Sequence, residues 1–420
     1  MPLNGFFGIL RPILFPLALV LSVGLTGCLA TTAPPSVERP ATLSDDALIE
    51  QGIQYAVSDL LAQALKTPGF QTPPKSALEQ LLATNKPVVK SVVVIDNSVD
   101  GISGQQTAAT RMLDERLLAQ LSARLDKHEV APIKPDILKT ANFLVTGTLA
   151  QAIPGDGRSG FKLNVALTDL RSGFVIAQAV ARVRPNGVDA TPTKFFRDSP
   201  AISMDRATEG KVKTAQSEAG AEADSLYLSR LPIDALIAAA DQHFEAGQYD
   251  EALSLYSAVS TQPEGQRLHV LNGVYLCEIQ LGHQEAAETA FGRIVSLGLA
   301  INNLSVKLLF KPGSTELIAD PKISASYVMW LRQIARATVS SKLCLNIVGH
   351  TSKTGSEQVN DRLSLQRAAA IQRSFELGTP SIAGKLLPVG MGFRENIVGT
   401  GTDDMRDALD RRVEFKVRPC

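Results

Sequence analysis

Between Leu343 and Ala368 the chain changes its hydrophobic period once, and this fixes the order of local structure there. Leu343, Leu345 and Ile347 alternate with Cys344, Asn346 and Val348, and few of the six are polar, which predicts a strand buried on both faces. Gly349 and Gly355 mark a loop. A helix is expected from near Asn360. On it Asn360, Leu363, Ser364 and Arg367 share one sector at i, i+3, i+4 and i+7. A polar loop and a polar helix stripe should therefore face one another across a small cleft. Backbone N–H groups, hydroxyls and one fixed cation would line it, which suits a ligand carrying a carboxylate.

The flanking pattern extends this unit. Leu304, Val306, Leu308 and Phe310 alternate along a first strand that Pro312-Gly313 ends. Ile318–Val339 reads as a helix with Ile323, Tyr327, Leu331 and Ile334 inward. Gly384–Gly390 reads as a third strand, and Gly399–Asp410 as a polar loop. In the last strand Val413, Phe415 and Val417 alternate with Arg412, Glu414 and Lys416.

Gly349-His350-Thr351, Gly355, Asn360, Leu363-Ser364, Arg367-Ala368 and Arg411-Arg412-Val413-Glu414 together resemble the OmpA-like peptidoglycan-binding domain, over roughly residues 303–418. The resemblance implies an α/β sandwich of order βαβαββ that holds the stem peptide of the cell wall. In the family an Asp after His-Thr takes the diaminopimelate ammonium and the helix Arg takes its carboxylate. The implied ligand set here is Thr351, Ser352, Asn360, Leu363 and Arg367, with His350 orienting the loop. Ser352 stands where the family has Asp. A charge-assisted hydrogen bond contributes about 1.5–3 kcal/mol against roughly 1 for a neutral one, so a grip about tenfold weaker is expected.

Upstream, 420 residues suggest two to four domains. Acidic and basic residues balance at 42 each, so no global field favours nucleic acid or an anionic membrane. Arg11 precedes the apolar run Pro12–Leu25, too short for a comfortable membrane span. The run ends in Leu25-Thr26-Gly27-Cys28, which resembles a bacterial lipobox. That resemblance implies a signal peptide over 1–27 and acyl chains on Cys28. Each buried CH₂ would hold the protein to a membrane by roughly 0.8 kcal/mol. Leu29 after the cysteine implies outer-membrane sorting, facing the periplasm. Residues 28–43 read as a short flexible tether.

Residues 44–200 carry a helix over Asp45–Leu65 and a β-branched strand over Ser91–Ile95. A helix over Thr107–Leu125 follows, with Leu113, Leu117, Leu118, Leu121 and Leu125 inward. Strands are expected over Phe143–Leu149, Phe161–Leu170 and Gly173–Val183. The order α-β-α-β-β-β predicts an α+β domain with a mixed sheet. Val145-Thr146-Gly147-Thr148-Leu149 and Thr168-Asp169-Leu170-Arg171-Ser172-Gly173 resemble the small domain of lipoprotein activators of penicillin-binding proteins and of curli-secretion lipoproteins. A generic α/β domain with a tight turn reads equally well. Residues 201–230 lose their apolar anchors and read as a linker or a solvated helix.

Within 231–299 two segments superpose at a period of 35: Gly247 on Gly282, Ala252 on Ala287, Tyr256 on Phe291. They resemble tetratricopeptide repeats, an all-α pair. Two repeats bury too little surface alone and must lean on a neighbour. They read as a spacer or docking platform, or as a concave peptide-binding surface.

With Cys28 acylated, Cys277, Cys344 and Cys420 remain. Buried or frayed free thiols are expected in preference to a Cys344–Cys420 bond. The five histidines show no metal-ligand spacing, and no paired-carboxylate, Ser-Lys or zinc constellation can be assembled. No enzymatic activity, cofactor or metal is therefore expected. The whole reads as a lipid-anchored envelope protein that binds the wall and presents an unidentified protein-binding surface. The alternative is a regulator or accessory factor of a cell-wall synthase or secretion system, positioned by wall binding.

Overall fold

The computed structural model describes residues 47–71, 90–152, 160–202, 204–318, 326–397, 401, 407 and 410–420. The leader, Cys28 and the whole tether lie outside the described residues, as do Ile323 and much of the loop before the last strand.

The N-terminal half is built on β1 (Ser91–Ile95), whose β-branched run fits a strand covered on both faces. It lies between parallel β2 (His128–Pro132) and parallel β3 (Ala141–Gln151), and antiparallel β4 (Phe161–Asp169) and β5 (Phe174–Val183) continue the sheet in the order β2-β1-β3-β4-β5. The mixed sheet is as expected. Strand β2 is an addition. His128, Glu129 and Pro132 break any alternating pattern, and an edge position tolerates the proline.

Alternation divides the sheet's two faces. Val93, Ile95 and Val145 join a core with α1 (Ile49–Ala64) and α2 (Ala108–Arg124). Thr107 caps α2, its Oγ1 accepting from Thr110 N at 3.2 Å while Thr107 N donates to Thr110 Oγ1 at 2.8 Å. Val92, Val94 and Leu144 instead face Tyr227, Leu231 and Ala235.

Of these three, Tyr227 belongs to the 201–230 stretch expected as a linker or solvated helix, and here the structure differs. Residues 201–230 contribute α4 (Arg206–Gln216) and the first turns of α5 (Ser225–Glu245). Helix α4 packs against β3, β4 and α5, burying Ala207, Gly210, Val212, Thr214 and Ala215. Its buried face is mostly small residues, so few large apolar anchors mark it in the sequence.

Helix α5 with α6 (Tyr249–Ser260), and α7 (Leu268–Gln280) with α8 (Gln284–Ala300), form two helical hairpins at the 35-residue period. Gly247 and Gly282 take φ of 78° and 82° at the two turns, where a Cβ would be strained. Ala252 and Ala287 are fully buried where helices touch, as are Tyr256 and Phe291.

The hairpins lean on both sides. The short helix α3 (Lys194–Asp198) sends Phe195 between them, with its ring 4.4 Å from His269 and 5.8 Å from Phe244. On the far side Trp330, from α9 (Tyr327–Ser340), stacks on Phe291 at 5.5 Å and donates from Nε1 to the Tyr275 hydroxyl at 2.9 Å. One apolar cluster runs from Phe195 through Tyr256 and Trp330 to Phe415.

In the C-terminal region β6 (Leu304–Val306), β9 (Val413–Arg418), β7 (Cys344–Gly349) and β8 (Leu386–Gly390) form a mixed sheet in the order β6-β9-β7-β8. Only β7 and β8 are parallel. Strand β6 is shorter than expected, although Leu308 and Phe310 are fully buried beyond it. Residues 200–202 run beside it, Ile202 N donating to Ser305 O at 3.0 Å. Helix α10 (Glu357–Gly378) packs on β7 and β8.

The cysteine expectation is overturned. Cys344 and Cys420 form a disulfide with Cα atoms 5.1 Å apart, and among the described residues Cys277 is the one free thiol, and it is buried. The cause is register: Cys344 opens β7 opposite Arg418 of β9, so the chain two residues on returns to it.

Candidate wall-binding loop and helix

Strand β7 delivers the loop because α10 sits very close to its end. A Cβ on Gly349 would lie 2.2 Å from Ser364 O, so only glycine permits the approach. Ser364 then ties the helix to the turn after β8, its Oγ accepting from Gly392 N at 2.9 Å. Thr351 N donates to Gly392 O at 2.9 Å from the other side.

The loop is stapled to the helix by Asn360. Its Nδ2 donates to Thr354 O at 2.9 Å and to Ser356 O at 3.1 Å. Ser356 caps α10, its Oγ accepting from Val359 N. Gly401, from the loop before β9, lies 3.5 Å from Thr354 Oγ1 through its carbonyl.

The stripe of Asn360, Ser364 and Arg367 exists as expected, and it is turned inward. Arg367 is only 1% exposed. Its Nε donates to Ser314 O at 3.0 Å and Nη2 to Lys311 O at 3.2 Å, and the guanidinium lies 4.9 Å from the Phe310 ring. Leu363 is half-buried. Thr351 and Ser352 are also buried, and Thr351 Oγ1 has no hydrogen-bond partner among the described residues. The residues expected to line an open cleft are thus inside the fold.

His350 is fully buried, 3.7 Å from Glu414 Oε1, too long for a hydrogen bond but close enough for charge to matter. Burial lowers the imidazole pKa, and Glu414 opposes that shift. Burial would raise the Glu414 carboxyl. His350 and Arg412 overcome it, Arg412 Nη2 lying at 2.7 Å, and hold the group well below the usual carboxylate range. His350, Glu395 and Glu414 could group around a metal ion, but Arg412 and Lys416 already neutralise Glu414, so the donor set fits a cation poorly.

Two acids near the loop in sequence, Glu357 and Asp361, pair outside with Arg394 at 3.3 and 2.7 Å. The fully buried acids are Asp407 and Asp410, and Asp410 Oδ1 accepts from Ile397 N at 2.6 Å. Sequence reading passed over both. Their signal is the density of acids in an otherwise polar loop.

A second polar constellation, also missed, joins the halves of the chain. Asp96, at the end of β1, accepts from the Tyr227 hydroxyl at 2.6 Å and pairs with Lys211 at 2.8 Å. Arg267 bridges Asp205 and Asp234. The cavity between them is about 70 Å³. Each of these acids has a basic side chain of the chain within ion-pair distance, which suits a junction rather than an empty receptor.

Residues 309–409 match the model of the OmpA family. Among solved structures, the chain is similar to the peptidoglycan-associated lipoprotein from Burkholderia pseudomallei, at 24% identity over 26% of this chain and 88% of that one, with a TM-score of 0.23. It is also similar to an outer membrane protein from Borrelia burgdorferi B31, at 24% identity over 28% and 88%, TM-score 0.21. A putative MotB-like protein from Desulfovibrio vulgaris matches at 27% identity over 27% and 71%, TM-score 0.22. No curated protein matches the chain. Among the described residues no helix is long and apolar enough to cross a membrane.

Proposed function

We propose that this chain is an envelope protein that binds peptidoglycan non-covalently through residues 303–418, with acyl chains on Cys28 holding it to the outer membrane. The observation that carries the reading is the OmpA-family match over 309–409, on a strand, loop and helix that bring Thr351, Ser352, Asn360 and Arg367 into one packed unit. The role is binding, not catalysis.

A stem-peptide carboxylate that engages Arg367 has to compete with the carbonyls of Lys311 and Ser314. The turn at 311–314 is therefore the piece that yields on binding. Ser352 offers a hydroxyl to the ligand's ammonium in place of a carboxylate. The helical pair, tetratricopeptide-like in its period, serves as a spacer. Its supporting observation is Phe195, which fills the groove between the hairpins with the chain's own residue.

Co-sedimentation of the chain from residue 28 with purified sacculi tests the reading. Wild type should pellet with the wall, and Ser352→Asp should tighten binding about tenfold in calorimetry with a diaminopimelate-containing muropeptide. Wild-type protein that stays in the supernatant and gives no heat would overturn wall binding. Separately, Cys28→Ala should release the protein from membranes in fractionation. Persistent membrane association would remove the lipid anchor from the reading.

A further inference from the structure

Helix α9 leaves a groove of about 490 Å³ against the second hairpin, chiefly its helix α8, in the size range of ligand-binding clefts. It lies on elements other than the loop and helix α10. Arg293 stands on its α8 wall and Arg336 on its α9 wall, and both are exposed. Leu271, Leu297 and Ala337 give it an apolar floor.

No acidic side chain lines the groove. The neighbouring acid on α8, Glu288, is already held by Arg332 at 2.7 Å and by Gln333 at 2.5 Å. Arg336 makes no hydrogen bond or ion pair among the described residues, and Arg293 reaches only Ser260 Oγ, at 3.4 Å. Two guanidiniums thus stand on opposite walls, and the acid whose charge Arg336 feels, Glu288, is already engaged by Arg332 and Gln333. A guanidinium is the side chain best shaped to take a carboxylate with two parallel hydrogen bonds.

We propose that this groove binds an acidic peptide segment of a partner protein, with carboxylates on Arg293 and Arg336 and an apolar side chain on the floor. A lone small anion would satisfy one guanidinium and leave the floor wet. A peptide with acids flanking an apolar residue uses all three surfaces. The site is independent of wall binding.

The test is fluorescence anisotropy of a fluorescein-labelled peptide of alternating glutamate and leucine, titrated with the chain from residue 28. Saturable binding is expected, weakened at least about tenfold by Arg293→Gln or Arg336→Gln, each of which removes a charge-assisted contact. It should fall as salt rises towards about 0.5 M, where exposed charges are screened. Lys162→Gln, an exposed charge lost on β4, should leave binding unchanged. Thr289→Glu adds an acid to the exposed α8 wall and should weaken binding without removing any contact in the core. No saturable binding, an unchanged Arg293→Gln/Arg336→Gln double variant, or equal loss with Lys162→Gln would each overturn the proposal. So would free glutamate or inorganic phosphate competing as well as the unlabelled peptide, because the site would then be one for small anions.

Discussion

Burial decides what Arg367 can do. The residue was legible in the sequence as the one cation of a polar helix stripe, and its face was legible too. Its surroundings were not, because Lys311, Ser314 and Phe310 approach it from more than fifty residues away. Arg367→Ala should therefore cost stability before it says anything about ligand. Two bonds to backbone carbonyls and the ring contact are lost together, about 2–4 kcal/mol. Arg367→Lys should restore less than half, since an ammonium cannot donate in the same fork. Urea unfolding checks this, and an unchanged midpoint for Arg367→Ala would refute it. Lys307 makes the same point with its proton. Burial pushes its pKa down to about 7, while its Nζ donates to Phe196 O. The folded pKa is below the unfolded value near 10.5, so between pH 7 and 10.5 the unfolded chain binds more protons. Stability should rise with pH across that window. Lys307→Met should flatten the rise and stabilise the protein at pH 7 by about 1–3 kcal/mol. Chemical denaturation at pH 7, 8.5 and 10 measures it, and parallel slopes for the two proteins would contradict it.

Elements were read well where a strong period was available and poorly where small or polar residues do the packing. Strand β1 announces itself through its β-branched run, and helix α10 through the i, i+3, i+4, i+7 spacing of Asn360, Leu363, Ser364 and Arg367. Strand β2 does not, since its place is set by pairing with β1 rather than by its own side chains. Helix α4 is cryptic for a related reason: alanine, glycine and threonine let it lie close to its neighbours, and such residues look alike in a packed helix and a linker. The Cys344–Cys420 bond belongs to the same class, because strand register brings its halves together. It closes a loop across a separation of 76 residues. Cys420→Ser should lower stability by about 2–4 kcal/mol, mainly by freeing the unfolded chain. Reductant should bring wild type to the same urea midpoint and leave the variant where it was. Coincident midpoints without reductant would show that the bond contributes nothing.

The molecule as a whole holds together through aromatic contacts between segments that read as separate domains. Phe195 enters the hairpins from one side and Trp330 from the other, and a continuous apolar cluster connects them to Phe415. Phe195→Ala should leave a cavity costing about 3–5 kcal/mol. Because the cluster is shared, Trp330 fluorescence and far-UV circular dichroism should report a single transition, shifted equally in the variant. A Trp330 transition that stays at the wild-type midpoint would show that the C-terminal sheet is stabilised apart from the hairpins. Period, turn glycines and the Gly349–Ala368 pattern are properties of neighbouring residues, so they could be read along the chain: the strand, the loop, the helix, the repeat and the mixed sheet. Whether Arg367 faces solvent or carbonyls, whether residues 206–216 pack, and which cysteines meet depend on groups far away in sequence. Those outcomes exist only once distant surfaces compete for the same space.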